Sequence, residues 1–255
     1  MRPISAVFFA SLLPMLVACS DKPDVAEQQT TETESPAFAE TDGVQSAVSI
    51  PAESMRSDIR PEVGGMRAAV VSEQPLASQI GYEALRNGGN ALDAVVSMAA
   101  ALAVVRPHMN SVGGDSFALF YDAKTGEVTA MKASGRAGTL ATPEFYSAQD
   151  LARMPFSGAL SITVPGTVSA WEAAPERFGS LTMAQALAPA IDIAETSFMV
   201  TSTFAADAKE SAPEMNDAGR AIYYPGDQPL KEGDLLKSAD LAMSLRIIAE
   251  QGAGF

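Results

Sequence analysis

The sequence predicts an α+β fold, in which helices and antiparallel strands occur in separate blocks. Two helical segments come first, at 74–90 and 91–105, and two strand-like segments then surround a turn at 122–126. Two further helical segments follow from residue 167 onward. A parallel sheet of the nucleotide-binding kind needs strands that alternate with helices. This order of elements therefore favours a layered α+β domain over a parallel sheet.

The first two helices are predicted by their apolar periodicity and by the residues at their ends. The segment QPLASQIGYEALRNGGN places Leu76 and Ile80 on one face, has Pro75 in its first turn and ends at Gly88-Gly89. The segment ALDAVVSMAAALAVV is apolar nearly all round, which predicts a buried helix, and it is too short for a comfortable membrane span. Arg106-Pro107 ends it, because the residue before a proline avoids the helical conformation.

The strands are predicted by short apolar runs bounded by turn residues. MRAAVVSE, at 66–73, has the composition of a short buried strand. SVGGDSFALFYDAKTGEVTAMKASGR contains two strand-like runs around the turn at 122–126, which predicts a hairpin.

Two later helices follow the turn Val164-Pro165-Gly166. On the first, Thr167 is expected to act as a cap or turn residue and Trp171 to pack in the core. The second is predicted from about Thr182 to Glu195, bent at Pro189.

The N-terminal region differs in composition from the rest of the chain. Residues 1–18 join one arginine to a short apolar run, which is typical of a signal peptide. Leu16-Val17-Ala18-Cys19 resembles the lipobox of bacterial lipoproteins, so we expect cleavage before Cys19 and acylation of its thiol. An ordinary secretory signal with a chance cysteine, or a buried thiol, is the alternative. The lipobox predicts a lipid-anchored membrane protein on the periplasmic side of the bacterial cell envelope.

The segment after this cysteine is predicted to be a disordered acidic tether, residues 19–60. It is rich in Thr, Glu, Ser, Pro and Asp, and its scattered apolar residues cannot bury enough surface to offset the entropy lost on ordering. The folded region is expected to span residues 61–255. With 47% hydrophobic residues, the chain can build a sizeable core.

Charge and composition exclude several functions. A formal net charge of −14 leaves no basic stripe to meet phosphates, so we expect no nucleic-acid partner. With a single histidine, a single cysteine and no acidic cluster at ligand spacing in the folded part, we expect neither a metal nor a cofactor. Cys19 has no second cysteine in the chain with which to form a disulfide. His108 follows a helix end and a proline, and we interpret it as a loop residue.

Arg136 is the candidate binding residue. It follows the second strand of the hairpin, in the stretch MKASGRAGTLAT, where nearly every neighbour is small. Small residues allow backbone segments to approach closely, and a guanidinium offers a planar set of donors suited to a carboxylate. An exposed arginine in a turn, paired with a surface acid, explains the same residues. From these residues alone, both interpretations stay open.

Several segments in consistent order resemble the N-terminal half of γ-glutamyltranspeptidases, within the N-terminal-nucleophile hydrolase superfamily. They are "QPLASQIGYEALRNGGNALDAVVSMAAALAVVRPHMNSVGGDSFALFYD", "SGRAGTLATPEFY", "SITVPGTVSAWEAAPERFGSLTMAQALAPAIDIAETSF" and "LAMSLRIIAEQGAGF". The resemblance covers roughly residues 64–255. It implies the N-terminal part of a four-layer αββα sandwich, incomplete in this chain, and a precursor that cleaves itself.

The resemblance also implies a mechanism and a set of residues. The nucleophile of the family is the N-terminal Thr of the second half, which forms an acyl-enzyme and releases the acyl group to water or to an amino acid or peptide. No Thr here matches that motif, so we expect no catalytic residue in this chain and a nucleophile beyond Phe255. By the resemblance, Arg136 grips the α-carboxylate of the γ-glutamyl group of a glutathione-like substrate. The missing small subunit, the C-terminal half, is the implied protein partner.

Some residues depart from the better-known transpeptidases and resemble a divergent γ-glutamyltransferase-like branch. Ser134-Gly135-Arg136-Ala137 stands where Phe-Arg-Glu is usual, Asp115 stands where another glycine is usual, and Gly138 replaces a proline of that branch. These differences leave two alternatives to a γ-glutamyl transferase or glutathione hydrolase. One is an acylase of another amide, such as a β-lactam type, and the other is a truncated, non-catalytic binding lipoprotein.

Overall fold

A computed structural model describes residues 6–9, 63–149, 151, 153–155 and 157–254. Residues 6–9 and the described residues from Met66 onward belong to one compact unit. Of the second unit, Leu12–Gly65, only residues 63–65 are described. Cys19, most of the predicted signal peptide and the whole predicted tether therefore lie outside the described residues.

The described residues contain both helices and strands, and the α+β class predicted from the sequence is confirmed. The helices are α1 (Pro75–Arg86), α2 (Ala91–Val105), α3 (Pro143–Ser147), α4 (Thr167–Phe178), α5 (Met183–Thr196), α6 (Ser202–Ser211), α7 (Asp217–Tyr223) and α8 (Ala239–Gln251). The strands are β1 (Ala6–Phe9), β2 (Ser116–Asp122), β3 (Glu127–Ala133), β4 (Phe198–Met199) and β5 (Leu235–Leu236). Short 3-10 turns lie at 159–161, 212–214, 225–227 and 252–254.

The core is built around α2, which packs between α1 and α5, while α5 also packs against α8. α2 has the bounds that the sequence predicted, and its side chains are buried nearly all round. Trp171, Leu187, Leu245 and Ile248 are almost fully buried in the same cluster, so the predicted core role of Trp171 is confirmed. Each such side chain contributes about 1.5–3 kcal/mol by leaving water.

Strands β2 and β3 form the predicted hairpin. Ser116 lies opposite Ala133 and Asp122 lies opposite Glu127 in an antiparallel register. The turn closes where the amide of Gly126 donates to the carbonyl of Asp122 at 2.8 Å. Gly126 has a φ of +75°, a left-handed conformation that favours glycine.

A further strand lies where the sequence did not predict one. The segment Ala6–Phe9 forms β1 and pairs antiparallel with β2, with Ala6 opposite Tyr121, so the sheet order is β1-β2-β3. This segment belongs to the predicted signal peptide. Its sequence, AVFF, is rich in β-branched and aromatic residues, which favour strands.

The two faces of the hairpin differ in what covers them. On one face, the ring of Phe120 lies 4.6 Å from the ring of Phe178 on α4. On the other face, Leu119 and Tyr121 of β2 are 52% and 42% exposed, and Val128 of β3 is 65% exposed. The alternation follows the two-residue period of a strand. The described residues therefore cover one face of this hairpin with helices and leave an apolar face open.

The buried strand predicted at 66–73 is wrong. These residues are irregular and mostly exposed, with Met66 99% and Val71 84% accessible. A strand needs a partner for its backbone N–H and C=O groups, and no described strand pairs with this segment. The amide of Ser72 instead donates to the hydroxyl of Ser78 at 3.0 Å, which joins the segment to the first turn of α1.

Candidate functional site

Arg136 lies just beyond the end of β3, as the sequence predicted. β3 ends at Ala133, and the chain continues without regular structure through Arg136. The side chain is exposed, and among the described residues it has no hydrogen-bond or ion-pair partner. The interpretation of Arg136 as a surface arginine paired with a neighbouring acid is therefore not supported by the described contacts.

The backbone beside Arg136 is held by two close approaches between loops. The amide of Gly135 donates to the carbonyl of Val164 at 3.0 Å. A Cβ on Gly135 would overlap the backbone of Val164, and a Cβ on Gly166 would overlap the carbonyl of Ala133. Only glycine fits at these two positions without a backbone shift. The small residues around Arg136 thus fix the end of β3 against the loop before α4.

A third loop joins the same assembly. The carbonyl of Gly114 accepts hydrogen bonds from the amides of Gly166 and Thr167, each at 3.1 Å. The buried hydroxyl of Ser116 donates to Oγ1 of Thr167 at 3.0 Å. Thr167 is therefore the first residue of α4 and a buried partner of β2, while Gly166 occupies the N-cap position. Thr167 was predicted to be a cap or a turn residue, and the cap is wrong because Gly166 holds that position.

Asp115 is a charged residue that contacts the other two of these three loops. Its Oδ2 accepts a hydrogen bond from the hydroxyl of Ser134 at 3.0 Å. The hydroxyl of Thr163 lies 2.9 Å from both carboxylate oxygens of Asp115. We name the three segments Gly113–Asp115, Ser134–Arg136 and Thr163–Thr167 the Arg136 platform. Among the described residues, no cation lies within ion-pair distance of Asp115.

A second aspartate, Asp93, lies in the motif GGNALDA at the start of α2 and accepts hydrogen bonds from backbone amides. Asn90 caps the helix, and its own amide donates to Oδ2 of Asp93 at 2.7 Å. The carboxylate also accepts from the amides of Ser180 at 3.0 Å and Leu181 at 3.1 Å. Asp93 is fully buried, so these backbone donors stabilise its charge in place of water. This motif therefore holds the loop between α4 and α5.

A cavity of about 800 Å3 in the described part of the chain is lined mostly by apolar side chains. Phe204, Tyr223 and Leu241 are among its walls, and burial raises the pKa of the Tyr223 phenol. Ser111, Val112 and Ile162, which flank the loops of the Arg136 platform, also line it. The cavity thus adjoins the platform along the chain.

Two residues that line this cavity, His108 and Asp207, belong to a network of polar side chains. Nε2 of His108 lies 3.0 Å from Oδ2 of Asp207, and Nη1 of Arg106 lies 3.2 Å from the same oxygen. Nε of Arg106 also lies 3.3 Å from Oε1 of Glu73. His108 lies in a turn after α2, as predicted, and the network joins that turn to α6. The sequence did not indicate Asp207, because its partners are distant along the chain.

The described residues add two findings on composition. They contain no group of three or more His, Cys, Asp or Glu side chains that could hold a metal ion. None of the helices in this part of the chain is both long and apolar enough to span a membrane.

Several known proteins are similar to this chain. The family model "Gamma-glutamyltranspeptidase" matches residues 77–254. The glutathione hydrolase proenzyme of Bacillus subtilis (strain 168) is 35% identical over 193 residues, which cover 74% of this chain. The chain belongs to the gamma-glutamyltranspeptidase family.

Two solved structures are also similar to this chain. The gamma-glutamyltranspeptidase of Helicobacter pylori matches with a TM-score of 0.70 and 32% identity, over 74% of this chain and 56% of that chain. A cephalosporin acylase from Bacillus halodurans matches with a TM-score of 0.64 and 33% identity, over 76% of this chain and 39% of that chain. The chain spans about a third of the length of the Bacillus subtilis relative, at 33%.

Proposed function

We propose that this chain is the N-terminal portion of an enzyme that cleaves γ-glutamyl amides and transfers the γ-glutamyl group to water or to an amine. The bond broken is the amide at the γ-carbonyl. A Thr hydroxyl supplied by the second half of the protein forms the acyl-enzyme, and the amine leaves. Water or an amino acid then takes the acyl group.

The unpartnered Arg136 is the observation that carries this proposal. An exposed guanidinium with no described partner is available for an anion from solution. The α-carboxylate of a γ-glutamyl group fits its planar donors in a bidentate way. The platform fixes the backbone around Arg136, so that binding the carboxylate also orients the γ-carbonyl. The family of the chain and the activity named for its Bacillus subtilis relative support the same reaction.

We propose that the second half also completes the fold as a four-layer αββα sandwich. The helices cover one face of the β2–β3 hairpin, while Leu119, Tyr121 and Val128 leave the other face apolar and open. An apolar sheet face of this kind is suited to packing against a second sheet about 10 Å away. The C-terminal small subunit is the partner that would supply that sheet.

A second candidate function is an acylase of another amide. The similarity to a cephalosporin acylase is at the same level as the similarity to the transpeptidase, at 33% and 32% identity. Asp115 and the sequence Ser134-Gly135-Arg136-Ala137 also differ from the usual pattern of γ-glutamyl enzymes. In an acylase of this kind, Arg136 need not meet an α-carboxylate.

We further propose that the protein is held on the periplasmic side of a membrane through an acylated Cys19. The support is the order of the segments in the sequence, a short apolar run, a lipobox-like tetrapeptide and a polar acidic stretch. Intact-mass measurement of the protein from its native host tests this. A diacylglyceryl mass that disappears in Cys19→Ser supports the anchor, and an unmodified N-terminus elsewhere contradicts it.

The experiment that tests the enzymatic proposal uses the complete product of the gene that encodes these residues. Hydrolysis of γ-glutamyl p-nitroanilide is followed by absorbance, and the trapped acyl-enzyme is located by mass spectrometry of its peptides. We expect turnover and a γ-glutamyl increment on a Thr beyond residue 255. A gene that stops at Phe255, or a complete product with no turnover and no increment, contradicts the proposal. Turnover of acyl anilides without an α-carboxylate, unaffected in Arg136→Ala, favours the acylase.

A further inference from the structure

We infer that the cavity lined by Phe204, Tyr223 and Leu241, which we call the α6–α7 cavity, binds an organic amine with an aromatic or other apolar body. Its volume of about 800 Å3 lies within the usual range of small-molecule pockets, roughly 300–1,000 Å3. None of its described walls belongs to the Arg136 platform. The inference therefore goes beyond the proposed function and concerns binding rather than turnover.

The first support is the apolar and aromatic character of the walls. Phe204 is buried, and its ring lies 6.2 Å from the ring of Tyr223. Val112 and Leu241 line the same cavity and are only partly buried against the core. Apolar walls of this kind favour a ligand whose body removes them from water. The two aromatic rings can also attract a cation through their faces.

The second support is a polar group without a described partner, the phenol of Tyr223. The side chain is half-buried, and burial raises the pKa of the phenol. No hydrogen bond joins its hydroxyl to another residue in the described part of the chain. Buried polar groups in folded proteins are usually hydrogen-bonded. A ligand with a polar end supplies the partner that the described residues do not.

The third support is the charge of the polar side chains, which favours a cation. The carboxylates of Asp207 and Glu214 line the cavity, and none of its described walls is a lysine or an arginine. Asp207 lies within ion-pair distance of Arg106 and His108, so its charge is compensated. Glu214 is exposed and has no ion-pair partner among the described residues. An ammonium group of the ligand pairs with this carboxylate.

The chain around Glu214 strengthens this preference. Residues 207–217, which run from α6 into α7, contain four acidic residues and one basic residue. They are Asp207, Glu210, Glu214 and Asp217, with Lys209 as the base. A negative potential of this kind raises the local concentration of cations and repels anions. The α6–α7 cavity should thus distinguish an amine from a carboxylate with the same apolar body.

The test measures binding to the complete gene product by isothermal titration calorimetry, with three probes of one shape. 4-Phenylbutylamine is a cation, 4-phenylbutanol is neutral and 4-phenylbutyrate is an anion. We expect the amine to bind at least about tenfold more tightly than the carboxylate, with the alcohol between them. The probes share the same apolar body, so the order of affinities reports the charge of the site.

Two variants with matched controls locate the binding. Ser211→Phe fills the cavity from the last residue of α6 and should abolish binding of the amine. Ala206→Phe places the same ring on the exposed surface of α6, outside the cavity, and should not change it. Glu214→Gln should lower the affinity for the amine about threefold, as for an exposed ion pair, and leave the alcohol unchanged. Glu210→Gln removes an exposed acid that is not a wall, and it should have no effect.

The inference is overturned if the complete wild-type product shows no saturable binding of the amine. It is also overturned if the amine and the carboxylate bind equally, or if Ser211→Phe folds and still binds the amine. Circular dichroism and thermal unfolding show whether Ser211→Phe is folded. If it is not, Glu214→Gln decides, because an unchanged affinity for the amine in that variant overturns the inference.

The outcomes also separate this inference from the proposed function. If the complete product binds the amine as expected but hydrolyses no γ-glutamyl anilide, the proposed function fails and the α6–α7 cavity remains a binding site. If it hydrolyses the anilide and does not bind the amine, the proposed function stands and the inference is wrong.

Discussion

Two aspartates, Asp93 and Asp115, each hold loops together, but they do so under opposite conditions of burial and pairing. Asp93 is fully buried and accepts three backbone amide hydrogen bonds, from residues 90, 180 and 181. Asp115 is half-buried, and the donors it has among the described residues are two side-chain hydroxyls. The first carboxylate is bound by the backbone of the fold, while the second keeps acceptor positions that no described donor fills. The residue type is thus a poorer guide to function than the donors around it.

The largest effect on stability is expected at Asp93. Asp93→Ala removes the buried acceptor shared by the amides of residues 90, 180 and 181, which should lower the free energy of unfolding by about 2–4 kcal/mol. Urea denaturation of the wild type and the variant, followed by circular dichroism, measures the difference. A loss below about 1 kcal/mol would show that the loop before α5 does not depend on this carboxylate.

A smaller loss is expected where the loops of the Arg136 platform touch. Gly166→Ala places a methyl group against the carbonyl of Ala133, and the backbone shift should cost about 1–3 kcal/mol. Gly138→Ala is the control, because a Cβ there meets no atom within 4 Å. It should change the free energy of unfolding by less than about 0.5 kcal/mol. Equal effects of the two substitutions, measured by the same denaturation, would contradict the close approach.

The smallest effect on stability is expected at the hydrogen-bonded hydroxyls of Ser116 and Thr167. Thr167→Val leaves the buried hydroxyl of Ser116 without its acceptor, which should cost about 1–2 kcal/mol. Adding Ser116→Ala to it should recover part of that loss, because no polar atom is then left unpaired. A double-mutant cycle measures the coupling. Strictly additive losses would mean that the two hydroxyls do not interact.

The sequence predicted the elements whose signals are local. α2 has its predicted bounds, because the continuous apolar run and the Arg106-Pro107 stop that predicted it both act within a few residues. The hairpin was predicted for the same reason, with Gly126 at its turn. The strand predicted at 66–73 is wrong because strand propensity has effect only where a partner strand is present.

The candidate site was predicted only in part, and the reason is again the range of the contacts. Arg136 could be located because it follows a predictable strand and matches a family pattern. Asp115 was noticed as a departure from that pattern, but its contacts with Ser134 and Thr163 depend on loops that meet only in the folded chain. The same holds for Asp93, whose acceptor role depends on amides from the distant loop before α5. The residues of a motif can thus be recognised from the sequence, whereas their roles depend on contacts that form only in the folded chain.

Arg136 is proposed to bind the α-carboxylate of the acyl donor, and steady-state kinetics on two substrates can test this role. The complete gene product and its Arg136→Gln variant are compared on γ-glutamyl p-nitroanilide and on 4-aminobutyryl p-nitroanilide, which lacks the carboxylate. We predict that Arg136→Gln lowers kcat/KM about 100-fold on the first substrate, as expected for loss of a bidentate charged pair, and changes the second less than about threefold. An equal loss on both substrates, or no loss on the first, would contradict the claim.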